Sequence, residues 1–170
     1  MNKAFQMAGM PQVGRSIFDL SYKNLTTGDM GMLYPIMWKE MVPGDVMDLA
    51  FDLVIRFNPL TAPMLHKVNA SIHVFKVPHR LLWHDDTPST GSWEEFITGG
   101  ADGTATPTLP LRYSAVVAKD INDYLGLPVG QAFTNLPVQI FPQYAYNLIY
   151  NEWYRDQTSI SEVALTNTTV

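Results

Sequence analysis

The chain has 170 residues, 46% hydrophobic, 12% aromatic and 16% charged, with 12 prolines, 11 glycines and no cysteine. A single domain of this length buries roughly 70% of its unfolded surface, so a core without staples is within reach, and low charge with many aromatics excludes intrinsic disorder. The lack of cysteine excludes a disulfide scaffold, a thiolate metal site and a cysteine nucleophile.

No apolar run approaches the ~18 residues of a spanning helix, and the stretch Met1–Ala8 is too polar for a secretory signal. These features predict a soluble protein with no membrane partner. Composition leaves two readings open: an aromatic private core, or apolar surface that partners cover. Charge is uneven. Residues 1–84 carry eight Lys/Arg and six Asp/Glu, whereas residues 85–170 carry three and ten. A net charge of −5 disfavours bulk electrostatic binding of nucleic acid, which needs clustered cations.

In chain order, residues 1–18 read as an extended arm, with Lys3 and Arg15, no acid, and loop-forming Gly9, Pro11 and Gly14. Met30–Val42 reads as an edge strand or bulge because of Pro35. Residues 46–57 alternate: Met47, Leu49, Phe51, Leu53, Ile55 and Phe57 are apolar, with Asp48, Asp52 and Arg56 between them. This period of two predicts a long strand with one packed face. A second strand is predicted over about 68–77, stopped by Pro78.

Three helices are predicted. Ser92-Trp93-Glu94-Glu95 has capping-box spacing, and Gly99-Gly100 ends that helix. Ser114 caps a second, with Val117, Ile121, Tyr124 and Leu125 on one face and Gly126 and Pro128 closing it. Pro142 opens the third, with Tyr144, Ala145, Leu148 and Ile149 as one stripe and Tyr146, Tyr150, Trp153 and Tyr154 as an aromatic flank. Residues 101–113 and 126–140 read as connectors, and the β-branched tail from Thr158 as the start of another strand. Strands followed by helices inside long connections predict a β domain with helical insertions.

The chemistry-bearing clusters are weak. His79, His84 and Asp85 could hold a metal, but their spacing is not helical, and an ordinary loop is the better reading. No Gly-x-Ser-x-Gly elbow and no phosphate loop is present. Glu94 and Glu95 read as the dipole-favoured first turn of a helix rather than an acid/base pair. The prediction is a non-enzyme with no cofactor and no metal. Lys76, His79 and Arg80 beside Phe75 and Trp83 have the composition of a single-strand nucleic-acid platform, as well as that of a plain strand end.

An ordered set of motifs runs from Arg15-Ser16-Ile17-Phe18-Asp19-Leu20-Ser21 through Thr26-Thr27, Leu33-Tyr34-Pro35-Ile36, Val42-Pro43-Gly44-Asp45 and Val77-Pro78-His79-Arg80-Leu81-Leu82-Trp83. It continues through Trp93-Glu94-Glu95-Phe96-Ile97 and ends with the run from Phe141 to Gln157. In order and spacing this set resembles the major capsid protein of microviruses, small single-stranded DNA phages, and especially the gokushovirus-like branch. The resemblance covers about residues 15–157.

The resemblance implies a mainly β fold, a viral jelly roll with helical insertions in long loops, and a structural, non-catalytic capsid protein. It implies a T=1 icosahedral shell of identical copies around circular single-stranded DNA, a small basic DNA-binding virion protein as partner, and assembly in the bacterial cytoplasm. Family proteins are far longer, so the roll is expected to be incomplete within these residues: an arm over 1–18, then the first strands over 19–170, with a helical insertion at about 85–157. Candidate nucleic-acid contacts are Lys3, Arg15, Lys76 and Arg80. Candidate subunit-interface or insertion-packing aromatics are Tyr146, Tyr150, Trp153 and Tyr154. The rival reading is a stand-alone β-rich carbohydrate-binding module using the loop Trp83–Asp86.

Overall fold

The computed structural model describes residues 14–83, 91–134 and 136–165. Pro78 divides them. Its fixed φ and missing N–H suit the position just before a helix, and helix α1, His79–Leu82, follows it directly. On its residues alone this stretch reads as a loop, and by resemblance as a strand exit and helix lead-in; the four residues after Pro78 are themselves helical. The Trp83 carbonyl then accepts the Trp93 N–H at 3.0 Å, which fixes the start of α2, Trp93–Thr98.

Helix α2 forms as its sequence predicts. Ser92 Oγ accepts the Glu95 N–H at 3.2 Å, and Gly99 ends the helix in the left-handed region at φ 80°. That glycine is required twice over, because an added Cβ would also lie 2.7 Å from the Gly103 carbonyl oxygen.

The predicted connectors contain the described ladder. Strand β1, Leu111–Arg112, pairs antiparallel with β2, Val138–Gln139, in the register Leu111↔Gln139 and Arg112↔Val138. Ile140 N–H to Pro110 O at 3.3 Å extends the ladder at one end, and beyond the other the Phe133 N–H donates to the Tyr113 carbonyl at 3.0 Å, out of its register. Helix α3, Ile121–Tyr124, is shorter than predicted. It starts after Asp120 rather than Ser114, because Val116 is drawn into a parallel bridge with Val129 and Lys119 takes φ 64°.

Helix α4, Phe141–Ile149, carries Pro142 in its first turn and runs straight into a π-helical turn, Tyr150–Tyr154. Its buried face, Phe141 and Tyr144, meets Leu82, Trp83 and Ile140 to form the core, and Val77, Trp93, Ala145, Leu148 and Leu165 close around it. Trp83 is 0% exposed and lies edge-on or tilted against Trp93, Phe96 and Phe141 at centroid distances of 5.5–6.4 Å.

The long strands predicted for 46–57 and 68–77 are not formed among the described residues, nor is a strand in 158–165. The described residues hold a few short helices and one two-stranded ladder, with 14–78 in neither, and do not by themselves close a β roll. Alternation tells which face seeks cover, but a strand also needs a neighbour for its backbone groups. The alternation leaves a trace in burial. Leu49, Phe51, Leu53, Ile55 and Phe57 are 40–53% exposed, against 78% for Val46 and 85% for Val54.

Candidate interaction surface

Of the predicted cationic contacts, Arg15, Lys76 and Arg80 are all exposed, Arg80 on α1 and Lys76 three residues before it. Lys3 lies outside the described residues. Between Asn58 and Trp83 the chain carries Lys67, Lys76 and Arg80 and no acidic residue. This stretch is therefore net basic within a chain that is net acidic elsewhere.

The aromatic flank separates by depth. Tyr146 is half-buried, its hydroxyl donating to the Leu33 carbonyl at 2.8 Å, and burial holds its pKa above the ordinary tyrosine value. Tyr154 hydrogen-bonds the His73 ring and stacks on it with an interplanar angle of 15°. Tyr150 is half-buried at the first position of the π-helical turn. Trp153 points outward, 71% exposed, with its ring 5.6 Å from that of Phe75. The extra residue of a π turn rotates the following side chains relative to a regular helix. Here the turn holds Tyr154 against His73 while Trp153 stands in solvent.

The turn also clamps the chain that follows. Asn151 Nδ2 donates to the Val163 carbonyl at 2.8 Å, and Asn151 Oδ1 accepts the Val163 N–H at 3.0 Å. Arg155 donates to the Ile160 carbonyl at 2.8 Å and pairs with Glu162 at 3.0 Å.

Sequence reading missed a second exposed aromatic feature. Tyr22, Trp38, Lys39 and Tyr124 line an open groove of ≈ 380 Å³. Lys39 Nζ sits 5.2 Å over the Tyr22 ring, and the Trp38 indole N–H donates to the Leu125 carbonyl at 3.0 Å. No local spacing announces it, because its walls lie nearly ninety residues apart. Burial also overturns the sugar-binding loop as drawn, since a fully enclosed Trp83 offers no face to a ligand. His84, Asp85 and Asp86 lie outside the described residues. Among the described residues no three His, Cys, Asp or Glu side chains gather as a metal site, and no helix is long and apolar enough to cross a membrane.

Comparison with known proteins gives this surface its context. The family described as capsid protein (F protein) matches residues 8–169. Capsid protein VP1 of Chlamydia phage 1 is 36% identical over 168 residues, covering 92% of this chain and 27% of the relative. Capsid protein VP1 of Bdellovibrio phage phiMH2K is 31% identical over 157 residues, covering 89% and 28%. Capsid protein F of Enterobacteria phage phiK is 26% identical over 141 residues, covering 83% and 30%. The chain thus spans less than a third of the length of these relatives. No solved structure matches. The match along nearly the whole chain establishes that it belongs to the capsid protein (F protein) family.

Proposed function

We propose that the chain forms part of the major capsid protein of a small single-stranded DNA phage, a structural subunit without catalytic activity. The observation that carries this reading is the family match over residues 8–169, joined by relatives that are themselves capsid proteins. In this reading identical copies assemble a T=1 icosahedral shell in the bacterial cytoplasm. The alternating segments 46–57 and 68–77 become jelly-roll strands once the rest of the subunit pairs with them. Their half-exposed apolar faces are surface awaiting cover rather than a failed core.

Exposed Trp153 is the anchor at a subunit contact, since large aromatics dominate interface energetics when they become desolvated. Lys76 and Arg80, with Lys3 and Arg15 of the arm, contact the single-stranded genome without base preference. The acidic remainder of the chain leaves most charge neutralisation to a small basic virion protein.

Expression of the full-length protein tests the reading. Sedimentation and electron microscopy should show particles or pentamer-sized assemblies, whereas a monomer that persists at high concentration would contradict it. Trp153→Ala should lower the particle yield. Lys76→Glu with Arg80→Glu should reduce retained DNA and flatten its salt dependence by about one unit of log–log slope per lost contact.

A further inference from the structure

Residues 14–71 are exposed almost throughout, and the half-buried exceptions are the run Tyr34–Met37 and Met47. That run is held from both sides. The Tyr146 hydroxyl, on α4, donates to the Leu33 carbonyl at 2.8 Å. In the opposite direction the Trp38 indole N–H donates to the carbonyl of Leu125, at the end of α3, at 3.0 Å. Between these two bonds the Tyr34 ring meets the Tyr124 ring edge-on at a centroid distance of 4.7 Å. Tyr34 is itself fixed. Its hydroxyl accepts the Asp29 N–H at 2.7 Å, and its ring occupies the space that a Cβ at Gly28 would need.

The chain returns to the helical half at His73–Val77. Tyr154 hydrogen-bonds His73 and stacks on it, Trp153 and Tyr154 flank Phe75 at 5.6 and 6.3 Å, and Val77 packs against the core. Between the two attachments, no hydrogen bond holds residues 46–72 among the described residues. Segment 39–72 is therefore a loop fixed at both ends and free in its middle. Such a loop has fewer conformations to lose when its middle pairs than a free tail has. Its middle also meets nearby polypeptide at a raised effective concentration.

We propose that residues 33–38 form a clasp, closed by Tyr146 and Trp38, that docks the N-terminal segment on the helical half and presents 46–57 for strand pairing. The clasp rests on the contacts above, and its use in presenting a strand rests on the strand reading of 46–57 in the whole subunit.

The test is pulsed hydrogen exchange, read by mass spectrometry, during refolding of the full-length protein. Wild type is compared with the double variant Trp38→Phe and Tyr146→Phe, which removes both donors and keeps an aromatic ring at each position. In wild type, 33–38 gains protection together with 141–149 and before 46–57. In the variant, 141–149 is still protected first, 33–38 loses its early protection, and 46–57 becomes protected roughly fivefold more slowly. Protection of 33–38 no earlier than 46–57 in wild type overturns the clasp. Early protection of 33–38 that survives in the variant overturns Tyr146 and Trp38 as its closure. An unchanged rate at 46–57, after early protection of 33–38 is lost, reduces these contacts to a structural role and overturns the presentation. If 46–57 gains no protection even in wild type, the strand reading falls, and the clasp is decided by whether 33–38 keeps pace with 141–149. Should the variant fail to protect 141–149, the wild-type order of protection decides in the same way.

Discussion

The two sides of Pro78 obey the same chemistry and reach opposite states. Residues 14–77 hold Ile17, Phe18, Leu25, Val46, Phe51, Val54 and Leu65 in exposed positions. Beyond Pro78, Leu82, Trp83, Ile140, Phe141 and Tyr144 close into a core, although Ile97, Val117, Leu136 and Trp153 stay exposed there too. The difference lies in what local sequence can complete. A helix makes its backbone bonds within its own segment and leaves only its ends to local groups, as Ser92 and Gly99 do for α2, and its apolar stripe is covered where α1 packs against α2 and α4. A strand satisfies nothing alone, so 46–57 carries a strand's pattern without a strand's partner.

Ways to break this contrast can be ordered by expected size. Trp83→Ala removes the fully enclosed ring and should cost about 3–5 kcal/mol in urea unfolding of the 170-residue chain. Phe51→Ala in the same chain should cost under about 1 kcal/mol, because little of its burial is there to lose. Equal costs would erase the distinction between the two sides. Asn151→Ala removes both bonds to Val163 and should cost about 1–3 kcal/mol, with early proteolytic cutting near residues 160–165 as the accompanying sign. Ser92→Ala removes the α2 cap and should cost about 1 kcal/mol, readable as a lower denaturation midpoint with unchanged slope.

The smallest effect is a pH response. The Thr158 N–H, and then the Ser159 side chain, hold the exposed Asp156 carboxyl below the ordinary aspartate pKa. A depressed acid stabilises the fold above its unfolded pKa and loses that contribution as pH falls through the folded value. The turn at 156–160 should therefore loosen in acid. The Thr158 amide resonance should follow a titration midpoint below about 3.9. A midpoint at or above that value would remove the bond from the account.

Legibility in the sequence divides along the same boundary. The helix at 93–98 was readable because its cap, its stop and its length are local, as Ser92 and Gly99 show. The third helix was readable from Pro142 and its stripe, but its π ending was not, since that depends on what Tyr154 and Asn151 meet. The β1–β2 ladder hid inside Pro- and Gly-rich connectors because two residues carry no period. Alternation at 46–57 was read correctly as a pattern and wrongly as a formed strand within this chain. The enclosed Arg112 gave no signal, because an isolated arginine in sequence reads as surface.

The central claim is that 46–57 is strand sequence awaiting partners, whereas 79–165 already carries its own core. Hydrogen exchange on the 170-residue chain and on assembled particles of the full-length protein tests it most directly. The account predicts that in the chain alone the amides of 46–57 exchange rapidly while those of 141–149 are protected, and that in particles both are protected. Protection of 46–57 equal to that of 141–149 in the chain alone, or rapid exchange of 46–57 in particles, would contradict it.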